Sequence, residues 1–166
     1  MKKIKKKDLA KIEVLLMDLD GCLTTGHIVY SSDGTDTKIF HTHDGFGITR
    51  GRELGLKFAV ISGMSSITNR MRVEKLKIHH LYENISDKLI PFEELKKNYN
   101  LKKESFAYIG DDEFDIPLLK RVGFSCAPNR AIEEVKKHVN YVCKKDGGDG
   151  AVREIIDMIL KAKGLI

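Results

Sequence analysis

A short apolar segment that ends in two acidic residues constrains the fold of this chain more than any other feature. Residues 14–17 read Val-Leu-Leu-Met, and Asp18, Asp20 and Gly21 follow directly. An apolar run of this length, bounded by polar and flexible residues, is typical of a buried strand in a parallel sheet. The two acids then lie at the carboxyl end of that strand, where open α/β sheets place their functional sites.

The spacing of the two acids sets their relative direction. Side chains alternate in extended backbone, so Asp18 and Asp20 point the same way while Leu19 points elsewhere. Two carboxylates that face one spot repel each other unless a positive charge or a shared proton lies between them. The pair therefore indicates a divalent cation site, a shared proton, or both. The alternative is a pair of solvated loop acids beside a turn.

Short strand-like runs alternate with helical segments along the rest of the chain. This alternation predicts a doubly wound α/β fold, a parallel sheet with helices on both faces. Two β-prone runs, 26–30 and 36–41, flank Asp33-Gly34 and predict a hairpin that projects as a flap over the acids. We expect residues 1–166 to form one domain. The sheet strands are predicted at residues 14–17, 58–61, 80–82, 106–109, 123–126 and 141–143.

Composition excludes several function classes. The chain has 166 residues, of which 42% are apolar and 32% charged, as expected for a soluble globular protein. No apolar run approaches the roughly 20 residues of a membrane span, and the first residues lack a signal-peptide core. We therefore expect a cytoplasmic protein without a membrane partner. Three widely spaced cysteines, Cys22, Cys126 and Cys143, indicate buried apolar residues instead of disulfides or a zinc site.

The net charge of +5 does not indicate nucleic acid binding. Much of it lies in an N-terminal run that is expected to be a solvated, frayed end. The other lysines are dispersed and lack the interleaved aromatic residues of single-strand binders. The positive charge equally suits an anionic small substrate, and no nucleic acid partner is expected. The N-terminal run comprises Lys2, Lys3, Lys5, Lys6 and Lys7.

Polar side chains follow three of the predicted strands. Because the carboxyl ends of parallel strands meet at one edge, these side chains are expected to cluster. Acids together with a hydroxyl and an amine match phosphoryl transfer, which needs Mg²⁺ ligands, a nucleophile, an acid/base and phosphate donors. Taken singly, each has a simpler explanation as a turn, a solvated lysine or a helix N-terminus. The residues are Asp18, Asp20, Ser62, Lys88, Asp111, Asp112 and Asp115.

The order of these residues resembles the haloacid dehalogenase superfamily of phosphatases. Four motifs carry the resemblance: Asp18-x-Asp20-Gly21-x-Leu23-Thr24, Val60-Ile61-Ser62-Gly63, Lys88, and Gly110-Asp111-Asp112-x-x-Asp115. The resemblance implies that Asp18 is the nucleophile and Asp20 the general acid/base. It also implies Mg²⁺ held by Asp18, the Asp20 carbonyl and Asp111, with support from Asp112 and Asp115, and phosphoryl binding by Ser62 and Lys88.

The gaps between the motifs leave no room for the large cap domains of many family members. The chain is most similar to the capless 3-deoxy-manno-octulosonate 8-phosphate phosphatases, which are tetramers related to the acylneuraminate 9-phosphate phosphatases. Neighbouring subunits are then expected to close the site. The matching segments are Lys38-x-Phe40, Asp44-Gly45-x-Gly47, Arg72, Lys88-Leu89 and residues 147–154. The implied substrate contacts come from Ser62, Gly63, Arg72, Lys88, Asp44 and Gly45.

Several positions depart from that family's pattern, and they concern the substrate more than the chemistry. Met64 stands where the octulosonate enzymes often have arginine, and His41 and His43 replace a common asparagine and arginine. Thr25 replaces a frequent aspartate. Loss of two guanidinium groups removes bidentate recognition of a carboxylate. His41-x-His43, taken as a pair on one strand face, indicates an exposed hairpin pattern more than a metal site.

We therefore expect a Mg²⁺-dependent phosphatase that acts on a sugar-acid phosphate, 3-deoxy-manno-octulosonate 8-phosphate in the first instance. The alternative within the class is an acylneuraminate or related nonulosonate 9-phosphate phosphatase. The alternative from another class is a catalytically weak subunit that binds a sugar phosphate or a partner enzyme. The intact pair Asp18 and Asp20, together with Lys88, favours the enzyme.

Overall fold

Eight strands within residues 6–166 form one parallel sheet and one hairpin. The computed structural model describes residues 6–166. The strands are β1 (Val14–Met17), β2 (Thr24–Tyr30), β3 (Asp36–Phe40), β4 (Lys57–Ile61), β5 (His80–Tyr82), β6 (Phe106–Ile109), β7 (Phe124–Ala127) and β8 (Tyr141–Val142). The six sheet strands run parallel in the order β5-β4-β1-β6-β7-β8. The order reverses at β1, so the predicted doubly wound sheet is confirmed and its switch point lies at the acids.

Helices cover both faces of the sheet. Alternation along β1 sends Leu15 and Met17 into the core under α1, α2, α3 and α7, whereas Val14 and Leu16 pack under α4, α5 and α6. Burial on both faces explains why the central strand β1 is apolar at every position. The helices, named here with their bounds, are α1 (Lys6–Leu9), α2 (Thr42–Glu53), α3 (Ile67–Leu76), α4 (Leu89–Tyr99), α5 (Ile116–Leu119), α6 (Glu133–Lys136) and α7 (Ala151–Ala162).

Strands β2 and β3 form the predicted hairpin flap, which follows directly on the loop that carries the acids. The strands are antiparallel, with Ile28 opposite Lys38 and Tyr30 opposite Asp36. Gly34 occupies the turn with φ of +83°, a left-handed conformation that glycine adopts without a steric penalty. No cap domain is inserted between the strands that residues 6–166 contribute to the sheet.

Two expectations about local structure are wrong. Strand β3 ends at Phe40, so His41 and His43 do not share a strand face. His41 is instead the N-cap of α2, and its Nδ1 accepts a hydrogen bond from the His43 N–H at 3.1 Å. Lys6 and Lys7 are exposed as predicted, but they belong to a helical turn whose Leu9 is buried. Lys2, Lys3 and Lys5 lie outside the described residues.

The three cysteines are buried and unpaired, as the sequence predicts. Cys22 and Cys143 pack in the same core cluster as Cys126, under α2, α3 and α7. In the part of the chain that the structure describes, every helix is too short or too polar to cross a membrane.

A buried carboxylate links α2 to the last helix. The N-cap of α7 is Gly150, which has no side chain to satisfy the first N–H groups of the helix. Asp44 from α2 takes this role: its Oδ1 accepts the Arg153 N–H at 2.7 Å and its Oδ2 accepts the Gly150 N–H at 3.2 Å. Burial raises the pKa of Asp44, while the two backbone N–H groups oppose that rise. The carboxylate therefore sits at the positive end of the α7 dipole.

Asp44→Ala is expected to destabilise the fold by about 1–3 kcal/mol, because it leaves two buried N–H groups without a partner. Urea unfolding followed by circular dichroism measures the loss. Asp149→Ala is the matched control: Asp149 lies in the loop that leads into α7, its side chain is 58% exposed, and a change within about 0.5 kcal/mol is expected. Equal stability of the two variants would contradict the capping role.

Candidate active site

The loop after β1 makes a tight turn at the centre of the sheet edge. The Asp18 N–H still donates to the Ile109 carbonyl of β6 at 2.9 Å, so the first acid is fixed by the sheet itself. Gly21 follows with φ of +89°, and a Cβ there would lie 2.1 Å from Asp111 Oδ2. Position 21 therefore requires glycine for two reasons: the backbone conformation and the close approach of Asp111 to the loop.

The glycine-rich segment before α7 packs on this same loop. A Cβ on Gly147 would lie 1.7 Å from the Gly21 carbonyl oxygen, and the Gly148 N–H donates to the Cys22 carbonyl at 3.2 Å. Gly148 and Gly150 have positive φ angles, which glycine adopts without a steric penalty. The segment therefore holds the acid loop from the side opposite the sheet.

Lys88 is the centre of the buried cluster. Its Nζ lies 2.8 Å from Asp18 Oδ1 and 2.6 Å from Asp115 Oδ1, and it donates to the Tyr108 hydroxyl at 3.0 Å. The ammonium also lies 4.0 Å from the centre of the Phe114 ring. All three polar partners of the ammonium are themselves buried, so each contact is made out of water and is correspondingly strong.

Asp115 fixes the backbone of the turn that follows β6. Its Oδ1 accepts from Tyr108 as well as from Lys88, and its Oδ2 accepts the backbone N–H groups of Asp111 and Asp112 at 2.8 and 3.2 Å. Asp112 is exposed, and its side chain accepts the Glu113 N–H at 2.6 Å. Asp115 thus fixes the backbone that carries Asp111, whereas Asp112 caps the following turn.

Burial and the mutual repulsion of the acids determine the electrostatics of the cluster. Burial raises the pKa of Asp18 well above its usual range, although Lys88 opposes the shift. Burial and then the charge of Asp115 raise the pKa of Asp111 to about 6. Burial alone lowers the pKa of Lys88, but Asp18 and Asp115 together outweigh it and the pKa is raised. One ammonium therefore does not neutralise the acids, and the cluster favours a further cation.

The donor atoms for such a cation are present. Asp18, Cys22 and Asp111 each offer a ligand atom, and these atoms lie within 4.8 Å of one another. The Cys22 thiol donates to Asp111 Oδ1 at 3.5 Å, and burial raises its pKa well above the usual range, so it remains a neutral thiol. Two carboxylates are hard oxygen donors of the kind that Mg²⁺ prefers. A cavity of about 270 Å³ opens beside Asp111.

Asp20 lies on the flap side of the loop and contacts different partners. Its Oδ1 accepts the Thr24 hydroxyl at 3.3 Å, and its Oδ2 lies 2.7 Å from Lys38 Nζ. Its side chain remains 22% exposed. The two acids that the sequence pairs are therefore held by two different lysines, Asp18 by Lys88 and Asp20 by Lys38.

Ser62 follows β4 as predicted and is buried at the neighbouring strand end. Its backbone N–H donates to the Tyr82 carbonyl at 2.8 Å, and its Oγ accepts the Met64 N–H at 3.2 Å. Gly63 and Met64 are exposed beyond it. The hydroxyl hydrogen of Ser62 is thus available to an acceptor in the site.

Arg72, Gly45 and Asp44 form a separate group between α2 and α3. The Arg72 guanidinium donates to the His41 carbonyl at 3.3 Å and lies 5.0 Å from the Phe40 ring centre. A Cβ on Gly45 would lie 2.7 Å from Arg72 Nη2. Asp44 has no exposed surface, so the expectation that it contacts substrate is corrected: its carboxylate caps α7 instead.

Two residues of the site were not predicted from the sequence. Tyr108 lies in the middle of apolar β6, where nothing distinguishes it from a core residue. The sequence pattern indicates Lys38 only weakly, because the residue shares one face of β3 with Asp36 and Phe40. The structure shows that Lys38 is the buried residue of that strand.

Comparisons with known proteins agree with this geometry. The model of the haloacid dehalogenase-like hydrolase family matches residues 64–155. The 3-deoxy-D-manno-octulosonate 8-phosphate phosphatase of Escherichia coli K12 is 37% identical over 153 residues, 92% of this chain and 81% of that protein. The corresponding phosphatase of Yersinia pestis is 37% identical over 154 residues, 93% of this chain and 82% of that protein.

Solved structures show the same fold. The crystal structure of the Yersinia pestis phosphatase superimposes with a TM-score of 0.94 at 36% identity, covering 96% of this chain and 86% of that one. The Moraxella catarrhalis phosphatase, solved with a magnesium ion, a phosphate ion and a KDO molecule, gives 0.93 at 35% identity, covering 96% and 91%. The chain belongs to the haloacid dehalogenase-like hydrolase family and is a phosphoric monoester hydrolase of its 3-deoxy-D-manno-octulosonate 8-phosphate phosphatase branch.

Proposed function

We propose that the protein hydrolyses a sugar-acid phosphate monoester, 3-deoxy-D-manno-octulosonate 8-phosphate, in the synthesis of lipopolysaccharide. The relatives from Escherichia coli and Yersinia pestis carry this activity in their names. The observation that carries the proposal is the Asp18 carboxylate at the switch point of the sheet, 2.8 Å from the buried Lys88 ammonium and beside Asp111. Residues 1–166 are proposed to act as one phosphatase domain.

Asp18 is the proposed nucleophile and Asp20 the proposed acid/base. Asp18 attacks phosphorus and forms an aspartyl-phosphate, while Asp20 donates its proton to the leaving oxygen as the P–O bond breaks. Asp20 then takes a proton from the water that attacks the aspartyl-phosphate, which releases phosphate and restores Asp18. The separation of their contacts, Lys88 on one and Lys38 on the other, supports this division of roles.

Ser62, Gly63 and Lys88 are proposed to bind the transferring phosphoryl group. The Ser62 hydroxyl and the Lys88 ammonium come from two different elements and are fixed by their own hydrogen bonds. Donors fixed in this way need no rearrangement when charge grows on the phosphoryl oxygens. Arg72 is proposed to contact the substrate as well, because the residue is half-buried beside the flap and its buried Nε has no hydrogen-bond partner among the described residues.

The carboxylates of Asp18 and Asp111 and the Asp20 carbonyl are proposed to hold Mg²⁺, with Asp112 and Asp115 in support. The proximity of the first two and the raised pKa of each fit a hard divalent cation. The Moraxella catarrhalis relative was solved with magnesium, and the Haemophilus influenzae phosphatase was solved with cobalt. When bound, the ion neutralises charge on the phosphoryl oxygens and offsets the repulsion between the acids.

The sugar acid itself is the less constrained part of the proposal. Met64 is exposed beside Ser62 where a guanidinium is common in the octulosonate enzymes, and this favours keeping a nonulosonate 9-phosphate as the second candidate substrate. His41 caps α2 through its Nδ1, the same function that an asparagine serves at a helix start, so this departure does not by itself alter recognition.

A cytoplasmic homotetramer is proposed for the assembly. The fold leaves the site without a cap. Large apolar side chains are exposed on the flap and on α3. These two elements contact each other, because the Thr68 hydroxyl donates to the Asp36 carbonyl at 3.0 Å. Exposed apolar surface of this kind marks protein interfaces. The side chains, each 58–67% exposed, are Val29, Tyr30, Ile39, Ile67 and Met71.

A phosphate-release assay with Mg²⁺ and a panel of sugar-acid phosphates tests the function. The octulosonate 8-phosphate is expected to be the best substrate, and Asp18→Asn is expected to lose at least about 10³-fold in kcat because the nucleophile is gone. Asp112→Asn is the matched control with a much smaller loss. Phosphate release by Asp18→Asn at the wild-type rate would refute the mechanism, and a nonulosonate 9-phosphate as the best substrate would select the second candidate.

Mg²⁺ affinity is expected to depend on pH through Asp111. Its pKa is raised to about 6 in the metal-free protein, and Mg²⁺ binds the ionised carboxylate, so protons compete below that pH. The apparent Kd, measured by calorimetry, is expected to be constant above pH 7 and to rise up to about tenfold per unit below pH 6. A Kd that is constant down to pH 5 would contradict the assignment of Asp111 as a ligand.

Sedimentation velocity tests the assembly. A tetramer is expected at micromolar concentration, and Met71→Lys is expected to shift it toward smaller species, because a charge is costly inside an apolar interface. Lys97→Met, an exposed position on α4 on the opposite face of the sheet, serves as the control. A fully active wild-type monomer would refute the tetramer.

A further inference from the structure

We propose that Lys38 is a positioning residue that holds the Asp20 carboxylate in place for proton transfer. The inference rests on the proposed role of Asp20 as the acid/base. Lys38 belongs to the flap, and its side chain has no exposed surface. It does not contact Asp18, Lys88 or Asp111 among the described hydrogen bonds, so any effect on the reaction passes through Asp20.

The contacts of Lys38 define one position for its ammonium. Nζ lies 2.7 Å from Asp20 Oδ2 and 2.9 Å from Asn69 Oδ1, with Asp36 Oδ2 further away at 3.9 Å. A buried lysine is costly unless its hydrogen-bonding capacity is used, and here acids and an amide oxygen surround it. The ammonium is therefore held between the acid loop and α3.

Asn69 makes this position rigid. The residue is fully buried near the start of α3, and its amide is oriented by contacts on both atoms. Oδ1 accepts from Lys38 and from the Ser66 hydroxyl, while Nδ2 donates to Glu83 Oε1 at 3.2 Å and to the Met64 carbonyl at 3.4 Å. Glu83 also accepts the Ser66 N–H at 3.0 Å. The lysine is thus anchored to a network that is independent of the flap.

Both oxygens of Asp20 are then restrained. Thr24 donates to Oδ1 at 3.3 Å and Lys38 donates to Oδ2, which leaves the carboxylate little freedom to rotate away from the site. Proton transfer needs the acid within hydrogen-bond reach of the leaving oxygen. A displacement of about 1 Å at such a group costs on the order of 10²-fold in rate. Lys38 therefore sets the rate by fixing where the proton is delivered.

A purely structural role for Lys38 has a different signature. If the ion pair served only to attach the flap to the acid loop, its loss would lower the activity on all substrates together. A role through Asp20 affects mainly the esters whose leaving group needs a proton. Alkyl phosphates need one because an alkoxide is a poor leaving group, whereas p-nitrophenolate leaves without protonation. The ratio of the two activities therefore separates the two roles.

The experiment compares kcat/KM of wild type and Lys38→Met on two esters, the best sugar-acid phosphate and p-nitrophenyl phosphate. We expect a loss of about 10²-fold on the alkyl ester and less than about threefold on the aryl ester, with KM nearly unchanged. Asn69→Leu, which removes the anchor but keeps the lysine, is expected to show the same selectivity with a smaller loss. Lys75→Met, an exposed lysine on α3, is the control and is expected to match wild type.

Equal losses on both esters would overturn the proposal. If Lys38→Met does not fold, Asn69→Leu decides: a loss confined to the alkyl ester supports the proposal and an equal loss overturns it. Wild type that hydrolyses neither ester would refute the proposed function and this inference with it. Wild type that hydrolyses both, with an unchanged ratio in both variants, would refute this inference alone.

Discussion

The buried ammonium of Lys88 is the interaction on which the rest of the site depends. Two strand ends reach it: β1 through Asp18, and β6 through Tyr108 and through Asp115 in the turn that follows the strand. Each of these oxygens would be costly to bury without a positive partner. Removal of the ammonium would leave uncompensated carboxylates in the core, so the charge that suits phosphoryl binding also stabilises the sheet edge.

Asp18 and Asp20 have different charged neighbours, and this difference explains why their proposed chemical roles differ. Burial raises the pKa of Asp18 and Asp111, and the negative charge of the neighbouring acids adds to the rise, although Lys88 opposes it at Asp18. Asp20 has a lysine of its own, Lys38, and remains partly exposed. One loop of a few residues thus presents one carboxylate suited to a cation and another suited to proton transfer.

Much of this arrangement was predictable from the sequence, for a definite physical reason. Parallel strands end at one edge, so Asp18, Ser62 and Asp111 were expected to meet once the strands were located. Tyr108 was not predictable, because a tyrosine inside an apolar strand looks like core until its hydroxyl partner is known. Asp44 was assigned to the substrate from the family resemblance, and its contact with the start of α7 could not be predicted because that partner lies more than a hundred residues away.

That distance has a consequence for the order in which the chain folds. Asp44 and the Gly150 N–H are separated by 106 residues, so the contact closes a loop of almost two-thirds of the 166-residue chain, and contacts of such long range are slow to form. On the ribosome, α2 emerges long before α7, and its carboxylate stays hydrated until the last helix arrives. Docking of α7 is then the step that buries Asp44. It also brings Gly147 and Gly148 into contact with the backbone of the acid loop. A nascent chain that lacks this helix contains Asp18, Asp20 and Lys88 but not yet the packed loop around them.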